Sequence, residues 1–490
     1  MKSNKFVKGI SILLISSIIA KLLGALFRIP LTWVLGIDGL GLYQLIYPVF
    51  ALLIVISSSG MPTAISKMVA SKVNNKNYLG ARQVLRVAIL FFGGVSMLLS
   101  IGVFVLSEQI ASYQGNILSY LGYRAIAPAI FVVSFLSCLR GYFQGRNNMV
   151  PTALSFILEQ GGKLVFGLLL AWIFLPYGVE FAPFGALLGV TLSEVVAVLI
   201  LWIIYLRSKK TDPQEGALLP NKKVLHDLFV VAFPIVLSSI TLPLLSFVDS
   251  FLVINLLQNS FVIDVSTKMW GVCSGVVTSL INMPIALTLS VSVSIVPALV
   301  EGDEIEQKNI ITTGFDLILL ITLPVMLAFM ILSEEILSTL YGSSLLTSSI
   351  GVLAVHLLIF SSPIVVLGSV LQTQTSGLQA IDRGKSVLIS LLVSGIIKIL
   401  LTITLVRLPS LNIWGFAIAN LTFYVVAVLI NSILVKRYLG CNIPWISKRS
   451  VAACVLLGLI LLNIKMLPIY HMIKVVLGGV LGGGGYLFAL

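Results

Sequence analysis

Residues Ala20–Pro48 read AKLLGALFRIPLTWVLGIDGLGLYQLIYP, and this stretch decides the fold. A run apolar enough to cross a bilayer carries two cations, Lys21 and Arg28. A charged side chain at the centre of a membrane helix costs about 2.5–3.5 kcal/mol on insertion scales. Such a residue is kept out of lipid by facing a bundle interior or a watery cavity. Lys21 and Arg28 lie seven residues apart, two helical turns, and so share one face. The expectation is that this face lines a cavity that receives an anionic head group.

The rest of the chain agrees with a membrane setting. It has 490 residues, 58% hydrophobic and 10% charged, with a mean hydropathy of +1.10. Apolar runs of about 20 residues recur from end to end, the signature of transmembrane helices. A β-barrel is excluded, because its signature is short alternating segments. The fold class expected is an all-α polytopic membrane protein. MKSNKFVKGISILLISSIIA at the start has a basic flank and an apolar core but no small-residue cleavage motif after it, so it reads as a retained first helix. Cys138, Cys273, Cys441 and Cys454 lack any metal or redox spacing and read as small packing residues.

Fourteen spans are expected, at 7–33, 41–66, 84–107, 119–141, 150–175, 182–206, 228–256, 270–297, 312–332, 350–376, 386–407, 412–435, 449–466 and 470–489. Trp33, Trp172, Tyr177, Trp202 and Tyr205 fall near span ends, as interface anchors do. Lys and Arg crowd alternate connections. Lys67, Lys72, Lys76, Arg82 and Arg86 join spans two and three, and Arg207, Lys209, Lys210, Lys222 and Lys223 join six and seven. By the positive-inside rule both termini are cytoplasmic. The longest polar stretch, 207–227, is too short for a soluble domain. That leaves no place for nucleic-acid binding or for an extramembrane catalytic centre. Gly384-Lys385-Ser386 ends like a phosphate-binding loop, but Gln379 stands where its first glycine must be. Transport energy would therefore come from Na+, H+, the membrane potential or the substrate's own gradient, and no cofactor is expected.

The chain also repeats itself. At an offset of 235, Pro128 matches Pro363, Gln144 matches Gln379 and Lys163 matches Lys398. At 230, Gly185 matches Gly415, and VVAVLI at Val195–Ile200 recurs at Val425–Ile430. Spans one to six and seven to twelve thus read as two six-helix lobes sharing one orientation, related by an axis along the membrane normal. The division expected is a first lobe at 1–207, a cytoplasmic linker at 208–227, a second lobe at 228–437, and helices 13 and 14 at 438–490.

Further ionisable residues fall inside the spans: Arg124, Glu159, Lys163, Glu194, Asp249, His356 and Lys398. The first lobe carries an excess of cations, which suits a phosphate or diphosphate. Lys21, Arg28, Arg124, Lys163 and Lys398 are the candidate substrate-binding residues. Glu159, four residues before Lys163, supports it as an intrahelical pair. Arg140 and Arg146, flanking a cytoplasmic helix end, read as topology signals. His356, lone on an apolar face, reads as a hydrogen-bonded core residue. Asp249, in PLLSFVDSFLV with no cation within a turn, is the candidate for a coupling cation or proton.

KLLGALFRIPLTWVLGIDGLGLYQ, SSSGMPTAISKMVASK and LRGYFQGRNNMVPTALSFILEQ resemble the stage V sporulation protein B branch of the multidrug/oligosaccharidyl-lipid/polysaccharide exporter superfamily. That branch is close to the MurJ-type lipid II flippases. The resemblance implies a MATE/MurJ-like fold of fourteen helices in two lobes. It implies the flipping of undecaprenyl-diphosphate-linked sugars across the bacterial cytoplasmic membrane. Lys21 and Arg28 resemble the two arginines of the family's first helix, and Asp38 the acidic residue that follows it. The family's arginine in helix eight has no counterpart, since Trp270–Pro297 contains none. An aspartate of helix seven that binds sodium in some of these proteins points to Asp249. The partners implied are a lipid-linked oligosaccharide diphosphate and membrane lipids, with the protein a monomer. Two other readings remain: a cation-coupled drug or metabolite antiporter of the same fold, and a non-transporting scaffold for wall synthesis.

Overall fold

In hydrocarbon every backbone N–H and C=O must find its partner within the same segment, so apolar runs of this length fold as helices. The computed structural model of the chain is accordingly helical almost throughout. It describes residues 2–211, 213, 215–301, 304–343, 347–441 and 448–489. The first stretch holds α1 (Lys2–Ser58), α2 (Met61–Asn74), α3 (Tyr78–Val105), α4 (Ser107–Gln114) and α5 (Tyr120–Gly145). Next come α6 (Val150–Gly162), a π-helical turn (Lys163–Gly167), α7 (Leu168–Phe174), α8 (Phe181–Thr211), α9 (Asn221–Ser239) and α10 (Thr241–Leu257). Then follow α11 (Ile263–Trp270), a second π-helical turn (Gly271–Val277), α12 (Thr278–Glu301), α13 (Glu304–Ile331) and α14 (Ser333–Tyr341). The last described helices are α15 (Ser349–Ser361), α16 (Pro363–Ala380), α17 (Gly384–Val406), α18 (Ile413–Leu439), α19 (Lys448–Met466), α20 (His471–Leu477) and α21 (Gly483–Ala489).

Among the described residues, eleven helices are long and apolar enough to cross a membrane, or thirteen if two bent pairs each count as one span. This differs from the fourteen spans expected, chiefly at the start. The spans placed at 7–33 and 41–66 are joined in α1, whose helical path breaks only at Gly36 (φ 63, ψ −173). Only a residue without Cβ adopts that conformation cheaply. The bent pairs are α9 with α10 (49°) and α15 with α16 (46°). In the second pair the break falls at Ser362–Pro363, where the proline has no amide proton for the helix ladder and its ring crowds the carbonyl four residues back.

The chain forms two compact units, Met1–Phe251 and Leu252–Leu490. In the first, α5 is the central helix, buried along most of its length and packed on α1, α2, α3 and α8. One apolar cluster joins Leu31, Ile46, Phe50, Tyr123, Ile130 and Leu187. A second joins Ile65, Leu85, Leu139, Tyr142, Leu201 and Leu228. The polar stretch after α8 is stitched to the start of α3. Gln83 Nε2 donates to the Leu219 carbonyl and Asn221 Oδ1, Asn77 Nδ2 to the Ala217 carbonyl (2.8 Å), and Arg82 to the Lys209 carbonyl (2.9 Å). In the second unit α12 and α16 are joined by a ladder of buried hydroxyls: Thr288 donates to Ser369 (2.9 Å), and Ser292 pairs with Thr373 (2.9 Å). Such pairs satisfy polar groups where no water is available.

The repeat read from the sequence has a structural counterpart within each unit. Asn147 (φ 55) and Asp382 (φ 58), 235 residues apart, both turn left-handed after a helix end. Asn147 N bonds to Gln144 O (2.9 Å) and Asn148 N to Phe143 O (3.0 Å). Asp382 N bonds to Gln379 O (3.2 Å) and Arg383 N to Leu378 O (2.9 Å), the same two bonds one repeat later. The matched glycines agree as well. A Cβ on Gly185 would lie 2.4 Å from Leu170 O, and one on Gly415 would lie 2.5 Å from the carbonyl carbon of Leu405, the residue 235 after Leu170.

Two sequence expectations need correction here. Tyr205 is not an interface anchor. It is 8% exposed, its ring edge-on to Tyr142 (5.3 Å) and tilted against Trp202 (5.1 Å). Position 205 falls on the face of α8 that meets α5, and helical phase overrides closeness to a span end. His356 is exposed rather than a core residue; its face of α15 is turned away from the buried Ala354, Leu357 and Leu358.

Asparagine and aspartate tolerate the left-handed region, whereas a β-branched residue does not. Asn147→Val and Asp382→Val should each destabilise the protein by about 1–2 kcal/mol, with glycine at either position near neutral. Thermal unfolding in detergent, followed by fluorescence-detected gel filtration, checks this.

Candidate functional site

The first unit gathers buried charge where α5, α6 and α8 meet. Two features bring the helices together. The α5–α6 hairpin turns at residues 146–149, which sets Arg140 opposite Ser155, equally far from the turn on either side, with Glu159 one helical turn beyond Ser155. Along α8 the stripe Gly185–Gly189 lets backbones touch: a Cβ on Gly189 would lie 2.4 Å from Gly167 N. One turn further, a Cβ on Gly162 would lie 2.6 Å from Ser193 Cβ. Small residues spaced by four are how membrane helices approach closely. That approach sets Glu194, the next residue of α8, beside Lys163 at the first position of the π-helical turn.

The geometry is an alternating chain of charges. Arg140 Nη2 lies 2.9 Å from Glu159 Oε2, and Arg140 Nε donates to Ser155 Oγ (2.8 Å). Lys163 Nζ lies 2.8 Å from Glu159 Oε1 and 3.1 Å from Glu194 Oε1. Gln160 Nε2 also donates to Glu159 Oε1 (2.8 Å), and the Arg140 guanidinium lies 4.4 Å from the centre of the Phe156 ring. Arg140 is 8% exposed and Glu194 1%. At this depth each charge is tolerated because another holds it.

The α1 helix packs a face that carries two cations against α6. Lys21, Gly24 and Arg28 follow the three-and-four spacing of one helical face. That face meets α6 at Gly24, where an added Cβ would lie 2.9 Å from Gln160 Oε1. Lys21 is exposed and Arg28 half-buried. Beyond the break at Gly36, Tyr43 stacks on Tyr47 (5.7 Å, 17°). Tyr43 lies within electrostatic reach of both Arg28 and Lys163. Among the described residues, Arg28, Arg140 and Lys163 thus stand near Glu159 and Glu194, three cations to two carboxylates, with Lys21 two turns before Arg28 on the same helix face. Ammonium and guanidinium groups arranged in this way have the chemistry to bind an anion with several oxygens.

The other candidates lie elsewhere. Arg124, sixteen residues before Arg140 on α5, is about 24 Å away along the helix at 1.5 Å per residue. It pairs with Glu108 (2.8 Å) and Ser107 Oγ (3.0 Å) at the helix end. Asp38, half-buried, follows the break at Gly36. Asp249 is 4% exposed on α10, next to Ser250, which accepts a hydrogen bond from Gln114 Nε2 (3.1 Å). Lys398 belongs to the second unit, 6% exposed, with its ammonium 5.3 Å and 5.8 Å from the ring centres of Phe416 and Phe423. Arg140 is the correction: a topology signal by its place near a helix end, it is a buried member of the cluster. The signal for it was that Ser155 lies as far after the turn as Arg140 lies before it, with Glu159 one turn further on the same face of α6. The glycine stripe before Glu194 was the signal for α8.

The architecture defines a class, multi-pass helical membrane proteins, with a fold like that of MurJ. A solved structure of the lipid II flippase MurJ in an inward closed conformation superposes with a TM-score of 0.72, covering 97% of both chains at 17% identity. The chain belongs to the polysaccharide biosynthesis protein family, whose profile matches residues 6–303. It is 28% identical to stage V sporulation protein B of Bacillus subtilis (strain 168), over 90% of this chain and 86% of that one. It is 26% identical to the lipid II flippase MurJ of the same organism, over 99% of this chain and 95% of that one. The branch suggested by the three quoted stretches is the branch found.

Removing one member of a buried pair strands the other. Glu159→Ala should cost about 3–5 kcal/mol of stability, whereas Glu108→Ala, at an exposed pair with Arg124, should cost about 0–1 kcal/mol. Thermal melts of the two purified variants against the parent protein distinguish them.

Proposed function

We propose that the protein is a flippase that moves an undecaprenyl-diphosphate-linked cell-wall precursor, lipid II or a related polysaccharide intermediate, across the bacterial cytoplasmic membrane by alternating access. The observation that carries this reading is the excess of positive charge built around Lys163 at membrane depth. Membership of the polysaccharide biosynthesis family and the two Bacillus relatives support it. A diphosphate offers several anionic oxygens to Arg28 and Lys163, with Lys21 at the exposed end of the same stripe. Guanidinium and ammonium donors bind such groups through charge-assisted hydrogen bonds. The prenyl tail stays in the bilayer while the head group crosses. Arg124 and Lys398 serve the head group at other stages of its passage, and Asp38 supports the α1 stripe.

On this reading the protein is a transporter and not an enzyme, works as a monomer and needs no cofactor beyond a coupling ion. Asp249 is the proposed residue for Na+ or H+ coupling. The chain crosses the membrane fourteen times with both termini in the cytoplasm. The 64-residue helical stretch Ser11–Asn74 supports the extra crossing; at 1.5 Å per residue it runs about 96 Å, three times the thickness of a hydrocarbon core. The proposed working parts are a lobe at 1–207, a linker at 208–227, a lobe at 228–437 and two closing helices at 438–490. A drug antiporter of the same fold favours cations, and the charge of this cluster speaks against it.

The test is lipid II exposure on the outer leaflet after depletion of this protein, with complementation by variants. Arg28→Ala should insert normally yet fail to restore exposure and growth. Full restoration by Arg28→Ala would remove the proposal.

A further inference from the structure

The two carboxylates that hold Lys163 are not equivalent. Glu159 has three partners: Arg140, Lys163 and Gln160. Glu194 has one among the described residues. Its Oε1 lies 3.1 Å from Lys163 Nζ, and its Oε2 is buried with no hydrogen-bond partner among them. The charged groups facing it are Glu159 and Lys163 from α6 and the π-helical turn, and Arg140 from α5. Arg28, Tyr43 and Tyr47 of α1 lie on the Lys163 side of the cluster, and α7 (Leu168–Phe174) has no titratable residue.

This asymmetry sets what happens when an anion binds, and it rests on the reading of the cluster as a diphosphate site. An ammonium has three N–H donors, and here two go to carboxylates. A diphosphate at the α1 stripe competes for the same ammonium. If Lys163 turns to it, Glu159 still has Arg140. Glu194 has nothing, and a bare carboxylate 1% exposed inside a membrane helix bundle is not tolerated. We propose that Glu194 takes up one monovalent cation, a proton or Na+, each time an anionic diphosphate ligand draws Lys163 away from it. The cation comes from solution: a proton leaves a buffer acid or hydronium and forms an O–H bond at a Glu194 carboxylate oxygen, whereas Na+ binds by coordination alone. Its incoming charge replaces that of the departing ammonium at Glu194, so anion binding and cation uptake become one event. This site lies in the α5–α6–α8 cluster and is separate from Asp249 on α10.

The experiment is calorimetric titration of the full-length protein, in phosphatidylcholine nanodiscs, with inorganic pyrophosphate. Proton uptake is read from the heats in two buffers of different ionisation enthalpy, and Na+ uptake from the dependence of affinity on Na+ at constant ionic strength. The parent protein should take up about one more cation per pyrophosphate than Glu194→Gln, in the proton arm or in the sodium arm. Glu194→Gln, which no longer competes for Lys163, should bind pyrophosphate about tenfold more tightly. Glu194→Asp should retain the uptake, which separates a lost ion site from a misfolded protein. Equal cation uptake in the parent and Glu194→Gln, with affinity lowered by Arg28→Ala, would overturn the inference and leave the anion site standing. No pyrophosphate binding by the parent protein would overturn both.

Discussion

The structure of the first unit depends on one constraint: a charge at membrane depth must be met by another charge. Lys163 is held by Glu159 and Glu194 at hydrogen-bond distance, and Arg140 secures Glu159 from the neighbouring helix. Replacing such a network by packed apolar residues is often neutral or stabilising. Its presence here is therefore poorly explained by stability. On the proposed function, it places a cation that a ligand engages without carrying one into the membrane.

The backbone devices around the cluster serve that placement. Glycines at 162, 167, 185 and 189 bring α6, its π-helical turn and α7 close to the backbone of α8. The turn itself starts at Lys163. Insertions of this kind interrupt the regular helix ladder and are frequent at functional sites. Gly36 breaks α1 and allows Tyr43 and Tyr47, beyond the break, to stand near cations that come before it and from α6.

Much of this was legible in the sequence, and the failures are physical. The helical class follows from continuous apolar runs. The repeat was visible in Gln144 and Gln379, which hold the helix-end carbonyls of equivalent left-handed turns. Lys21, Arg28, Glu159, Lys163 and Glu194 were singled out because ionisable residues are rare in spans. Arg140 was misread because position relative to a helix end says nothing about the helix across the hairpin. Tyr205 was misread for the same reason. The break at Gly36 falls between the expected spans 7–33 and 41–66, but there the helix turns at a single glycine without a loop.

The central claim is that the cations of the first unit hold a diphosphate head group. Native mass spectrometry of the protein released from nanodiscs containing undecaprenyl diphosphate tests it most directly. The account predicts that the parent protein retains the lipid and that a Lys163→Gln/Arg28→Gln double variant, folded by its melting profile, does not. Equal retention by the two proteins would contradict it.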